Sequence, residues 1–171
     1  MKKKIITLIV VISGLALLLC LYGLALPRQL IFYKEEVINH PVEAVFATVT
    51  DFKNQAKWRS DLKEIRAVSA DVWTEIPKAG EPMTFAIVQK IQDKRFVIRI
   101  IKPENYSGSW TGIFEKLPQN RTLFKAREVI ELKNPFIRAI GHTFINLETT
   151  MDTYFNDLNI KLEKDGNKKL D

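Results

Sequence analysis

Hydrophobic positions along this chain change their period several times. From Ile5 to Leu26 there is no period at all, only a run of 22 residues without a charge. As a helix rising about 1.5 Å per residue, the run reaches about 33 Å, enough for a hydrocarbon core of roughly 30 Å. After Pro27 the pattern is that of a folded domain. Leu30, Phe32 and the run to Ile38 are rich in β-formers and predict a strand, although Lys34-Glu35-Glu36 interrupts strict alternation. Val42, Val45, Phe46 and Val49 then recur at helical spacing. Pro41 suits a first helical position, with His40 before it as cap and Glu43 three residues after His40, where a capping-box acid belongs. Asp51 is placed to cap a second short helix running towards Trp58.

From Leu62 the period becomes two. Leu62–Ala70 and Val72–Ile76 read as short strands. Longer ones follow around Met83-Phe85-Ile87, Phe96-Ile98-Ile100 and Trp110-Gly112-Phe114, and the last spans Thr122 to Leu132. Turn residues separate them at Pro77-Lys78-Ala79-Gly80, Gln92-Asp93, Pro103-Glu104-Asn105 and Pro118-Gln119-Asn120. The final element is helical. Asn134 can cap it with Pro135 in first position, and Ile137, Ile140, Phe144, Leu147, Met151, Tyr154 and Leu158 follow at spacings of three and four. A helix of that length should lie across the concave face of the sheet. The expected class is α+β: a curved antiparallel sheet around a long C-terminal helix, preceded by one transmembrane helix. Residues 1–26 form a cytoplasmic tip and anchor, residues 27–163 the folded domain, and residues 164–171 a polar tail.

Charge alters this picture little. The formal net charge is +6, but Lys2, Lys3 and Lys4 precede the apolar run, and the remainder is an ordinary mixed surface. The high basic count is therefore no sign of nucleic acid. The flanking lysines do bear on topology. They outweigh Arg28 and Lys34, which Glu35 and Glu36 offset, so the N-terminus should stay cytoplasmic and the domain should lie outside. An uncleaved anchor fits better than a cleaved signal peptide, whose apolar run is about 7–15 residues. A lipoprotein would need a small residue before its cysteine, and Leu19 precedes Cys20. The setting is a bacterial inner membrane, periplasmic side, or a cell surface.

Candidate chemistry is sparse. Cys20 is the single cysteine and lies inside the apolar run, so the domain has no disulfide and no thiol nucleophile. His40 and His142 are the two histidines, and neither has a partner at metal-ligand spacing. His40 reads as a helix-start residue and His142 as a surface residue. No nucleophile elbow or phosphate-binding glycine loop is present. No metal and no cofactor are expected. Arg95 with Arg99, and Lys125 with Arg127, read as the solvent face of the sheet rather than a basic rim. Glu128 and Glu148 are the carboxylates placed nearest to where sheet and helix meet.

Val37-Ile38-Asn39-His40-Pro41-Val42-Glu43-Ala44-Val45-Phe46, then Val49-Thr50-Asp51-Phe52 and Trp58, resemble the opening of the START-like superfamily, the SRPBCC or polyketide cyclase/dehydrase and lipid-transport group. The resemblance extends in element order from about Leu30 to Leu162. It implies a helix-grip fold with a cavity between sheet and helix. Phe85, Phe96, Ile98, Trp110, Phe114, Phe144, Leu147 and Met151 are the residues placed to line that cavity. The expected function is non-catalytic binding of a membrane lipid or other hydrophobic small molecule by a tethered monomer. A cyclase-like enzyme and a protein-binding module with a filled core are the alternatives. Protease added to spheroplasts should degrade the domain; protection until lysis would reverse the predicted orientation, and release into the soluble fraction would indicate cleavage.

Overall fold

Inward alternation on the strands sets the architecture of the computed structural model, which describes residues 2–104, 107–144 and 147–167. On β7 (Arg121–Glu131), Thr122, Phe124, Ala126 and Ile130 are buried at every second or fourth position. The other strands are β1 (Gln29–Ile38), β2 (Leu62–Ala67), β3 (Val72–Pro77), β4 (Met83–Ile91), β5 (Arg95–Lys102) and β6 (Ser107–Leu117). They form one antiparallel sheet in the order β1-β7-β6-β5-β4-β3-β2. The first strand thus returns beside the last, and the two helical segments after it cross to the far edge. Asp93, Gln119 and Asn120 take positive φ in the hairpin turns, a conformation that Asn and Asp tolerate well. Arg95, Arg99 and Arg127 are exposed on the outer face, and Lys125 pairs there with Glu115 at 2.6 Å.

Helix α2 (Val42–Thr50) buries Val42, Val45, Phe46 and Val49. Its cap lies one residue later than expected. Pro41, extended at φ −64° and ψ 149°, is the N-cap, with no side-chain capping bond. The His40 carbonyl instead accepts from the Thr122 hydroxyl at 2.8 Å, tying this entry to β7, and Glu43 pairs with Lys116 at 3.6 Å. Asp51 begins a 3₁₀ turn over Phe52–Lys57 without capping its backbone; its carboxylate accepts from Asn54 at 2.6 Å.

The long C-terminal helix is in two stretches, α3 (Pro135–Phe144) and α4 (Leu147–Asn167). Asn134 caps α3 as expected, accepting from the amides of Phe136 and Ile137 at 2.8 and 3.3 Å. Helix α4 grips the sheet: Met151, Phe155, Leu158 and Leu162 join the core, with Phe155 stacked on Phe124 at 5.0 Å. It runs on to Asn167, so the first residues of the expected tail are helical.

The apolar stripe expected to run through both stretches fails in α3. Arg138, Ala139 and Gly141 are buried there, whereas Ile140 is 52% exposed. The reason is the partner of α3, which packs on the end of α1 (Lys2–Ala25) rather than on the sheet. A Cβ on Gly23 would fall 1.9 Å from the Pro135 carbonyl oxygen, so only glycine allows this approach. Helix α1 is itself long and apolar enough to cross a membrane.

Phe46 is 1% exposed and meets Phe114 edge-on at 5.1 Å. Phe46→Ala should therefore cost about 3–5 kcal/mol in chemical denaturation. Trp58 is half-buried and packs against the core, with its edge against Tyr154 at 5.5 Å. Trp58→Ala should cost less than Phe46→Ala, and an equal loss would contradict this packing.

Candidate functional site

A buried ionic cluster sits where the 3₁₀ turn, the inner face of the sheet and α4 converge. The turn delivers Arg59 to the interior, and alternation along β3 turns Trp73 and Glu75 the same way. A charge in this position must be compensated, because desolvation of an unpaired ion is prohibitive. The Arg59 guanidinium donates to both Asp61 oxygens, from Nε at 3.1 Å and Nη2 at 2.6 Å. Its Nη1 donates to Glu75 Oε2 at 3.1 Å and to Gln55 Oε1 at 2.9 Å. Glu75 also accepts from Trp73 Nε1 at 3.1 Å, and Gln55 donates onward to the Val49 carbonyl at 2.8 Å. The guanidinium lies 5.4 Å from the centre of the Tyr154 ring. Burial works against the Arg59 charge, but Glu75 and Asp61 outweigh it and raise its pKa.

Two carboxylates thus balance one guanidinium, and the cluster already carries a net negative charge. Glu128 enters the same space from β7, in register with Trp110 on one side and Phe32 on the other. Its residue surface is half-buried, but protein surrounds the carboxyl group closely enough to strip most of its hydration. It makes no hydrogen bond or ion pair among the described residues. Burial pushes its pKa up to about 7; Arg59 pulls the other way, and Glu75 adds to the rise. Ionising it would place a further negative charge beside Glu75, so near neutrality it holds its proton about half the time. Burial also raises the Tyr154 hydroxyl, opposed by Arg59 and reinforced by Glu75 and Asp61.

These groups form the polar end of a cavity of about 90 Å³. Five residues expected to line it do so: Phe85, Phe96, Ile98, Trp110 and Met151. Gly112 makes room for one wall, since a Cβ there would lie 2.8 Å from the folded-over ring of Trp110. Phe114 faces inward as its parity requires but does not reach the cavity. It is closed off between Phe46 and Phe124, with ring centres at 5.1 and 4.8 Å, because α2 covers that end of the sheet. The side chains of Phe144 and Leu147 lie outside the described residues. Glu148, expected beside Glu128, is exposed on α4. His142 is half-buried, its Nε2 2.9 Å from the Pro27 carbonyl and remote from this cluster. Among the described residues no three His, Cys, Asp or Glu side chains converge as metal ligands.

Arg59, Glu75 and Tyr154 were not foreseen as site residues. A signal for Glu75 does exist in Trp73-x-Glu75, a carboxylate sharing a strand face with a large aromatic, which demands a buried cation. Nothing local says that the cation is Arg59, 16 residues away.

No family model matches the sequence, and no curated protein matches it. Solved structures do match in shape. A START superfamily protein from Mycobacterium smegmatis superposes with a TM-score of 0.63 at 13% identity, covering 78% of this chain and 97% of its own. The Zhui aromatase/cyclase from Streptomyces sp. R1128 gives 0.65 at 12% identity over 80% and 94%. A norcoclaurine synthase from Thalictrum flavum gives 0.66 at 7% identity over 81% and 96%. Two of these three are named as enzymes, which overturns the expectation of a domain without catalysis. This architecture is shared with a synthase and an aromatase/cyclase, so it supplies no ground for excluding chemistry. With its antiparallel sheet closed on α4 and a cavity between them, the chain over residues 29–167 has the START-like helix-grip fold.

Proposed function

We propose that the domain binds a small, ring-sized molecule with one polar end and exchanges a proton with it through Glu128. The observation that carries this reading is a carboxyl group without a protein partner among the described residues, poised near pKa 7 at the end of an aromatic-walled cavity. Acid–base catalysis is most effective when the group's pKa lies near the working pH, since both protonation states are then populated. The walls formed by Trp73, Phe85, Phe96, Trp110 and Tyr154 suit a planar apolar body. Volume sets the size class. A cavity of about 150 Å³ admits benzene, so this smaller one favours a ring or less over an extended acyl chain unless its walls move. Arg59 is the positioning residue, held by Asp61 and Glu75 so that its charge shapes the Glu128 environment without occupying the Glu128 oxygens. The α1 helix acts as an uncleaved tether, which keeps the cavity beside a bilayer and near ligands that partition into it.

Two outcomes test this. An enolisable cyclic ketone no larger than one ring, such as cyclopentanone, incubated in D₂O with the full chain in detergent, should exchange its α-protons faster than in protein-free buffer. The rate should rise through an apparent pKa near 7, because the ionised carboxylate is the base, and Glu128→Gln should abolish the increment. Exchange at the buffer rate, with no chemical-shift change in cavity aromatics, would reject the reading. The second outcome is thermodynamic. Between pH 4.5 and about 7 the unfolded chain has lost the Glu128 proton while the folded chain retains it, so stability is full below this window and falls as pH rises through it. The loss should be on the order of 3 kcal/mol at most, at about 1.4 kcal/mol per pKa unit. Glu128→Gln should lack this fall when urea denaturation is compared at pH 5 and pH 8.

A further inference from the structure

We propose that α3 is a membrane-interface helix, docked on the bilayer surface through Phe136 and Ile140 and clamped to the anchor by Arg138. The proposal rests on the reading of α1 as a tether. Three observations place α3 at the level of the lipid headgroups.

The first is depth. Gly23 lies inside the uncharged run that ends at Leu26, and the Pro135 backbone packs directly against it. With a rise of about 1.5 Å per residue, Gly23 is only a few ångströms below the end of the span. The start of α3 is therefore carried to the edge of the hydrocarbon itself, and Phe136 with it.

The second is the clamp. The last carbonyls of α1 have no partner within their own helix, and in a bilayer such groups are expensive to leave unsatisfied. The last turn of α1 carries no basic residue of its own. Arg138 supplies the charge from α3: its Nη1 donates to the Gly23 carbonyl at 3.0 Å and to the Leu26 carbonyl at 3.3 Å. Nε and Nη2 donate to the carbonyls of Leu132 and Lys133 at 3.1 and 3.2 Å. A cation at a helix C-terminus is also favoured by the helix dipole. Only 3% exposed, Arg138 joins anchor, β7 exit and α3 into one unit. His142 adds a contact with the Pro27 carbonyl at 2.9 Å one turn further along.

The third is the free face. Phe136 and Ile140, one turn apart, are 40% and 52% exposed, and α3 carries no acidic residue that lipid phosphates would repel. Apolar side chains one turn apart on a helix held at this depth meet lipid as their natural cover. Helix α4 begins three residues after α3 ends, and Thr150 and Met151 in its first turns line the cavity. Docking α3 would thus set one wall of the cavity close to the bilayer surface.

The test uses the full chain with Cys20→Ser and single nitroxide-labelled cysteines, reconstituted into phosphatidylcholine–phosphatidylglycerol vesicles. Labels go in by Phe136→Cys, Ile140→Cys, Leu15→Cys in the anchor and Val68→Cys at the opposite edge of the sheet. Labels at 136 and 140 should collide several-fold more with dissolved oxygen, and several-fold less with a water-soluble nickel chelate, than the label at 68. Chelate collisions at 136 and 140 equal to those at 68, with 15 still in the hydrocarbon, would overturn the docking and leave the tether intact. A label at 15 as open to the chelate as that at 68 would overturn both. Shielding of 136 and 140 from both reagents would mark contact between copies of the chain and overturn the lipid assignment.

Discussion

Burying the Arg59 guanidinium is the constraint around which the interior is arranged. Breaking a buried ion pair by removing one partner typically costs about 3–5 kcal/mol, so the groups that compensate it cannot drift. Asp61 on the following loop, Glu75 on β3 and Gln55 on the 3₁₀ turn are all held by it, and Tyr154 of α4 packs over its face. The helix over the sheet, the turn that closes one end and the far-edge strands meet at this charge. Its compensation is more than complete, and that is why Glu128 stays apart. A third carboxylate in the same space gains little from a cation already shared, and burial then keeps its proton on. Burial is thus the main reason the Glu128 pKa is raised, with Arg59 opposing the rise and Glu75 adding to it.

Arg138 resolves the same problem by opposite means. Its hydrogen bonds go to backbone carbonyls alone, from the end of α1, from the strand exit and from the loop before α3. A guanidinium presents five donors in a fixed plane, which suits carbonyls converging from separate segments. One arginine therefore organises the cavity, and the other organises how the domain sits on the end of α1. The apolar stripe of the C-terminal region divides at the same place. Met151, Phe155 and Leu158 serve the core, while Phe136 and Ile140 remain outside it.

The elements were legible in the sequence because each depends on neighbours a few positions away. Alternation in β5, β6 and β7, the Asn134-Pro135 start of α3, the turns at residues 77–80, 92–93 and 118–120 and the uncharged run of α1 are all local signals, and each appears where the pattern placed it; Asn105 of the remaining expected turn lies outside the described residues. The cavity's apolar walls were partly legible for the same reason, since Phe85, Phe96, Ile98 and Trp110 follow from strand parity and Met151 from helix spacing. Parity also misled at Phe114, because it tells which face a residue takes and not which part of that face another helix will cover. The polar end of the site was a different matter. Glu75 meets Arg59 only because the turn after α2 folds back onto the far edge of the sheet. Arg138 meets Gly23 only because β1 and β7 pair and bring the two ends of the domain together. By itself the sequence determined the type and order of the elements, the face that α2 and the central strands bury, and that one helix is long and apolar enough to cross a membrane. Tertiary structure alone decided which charges share a low-dielectric space, because compensation of a buried ion depends on distance through space and carries no period along the chain.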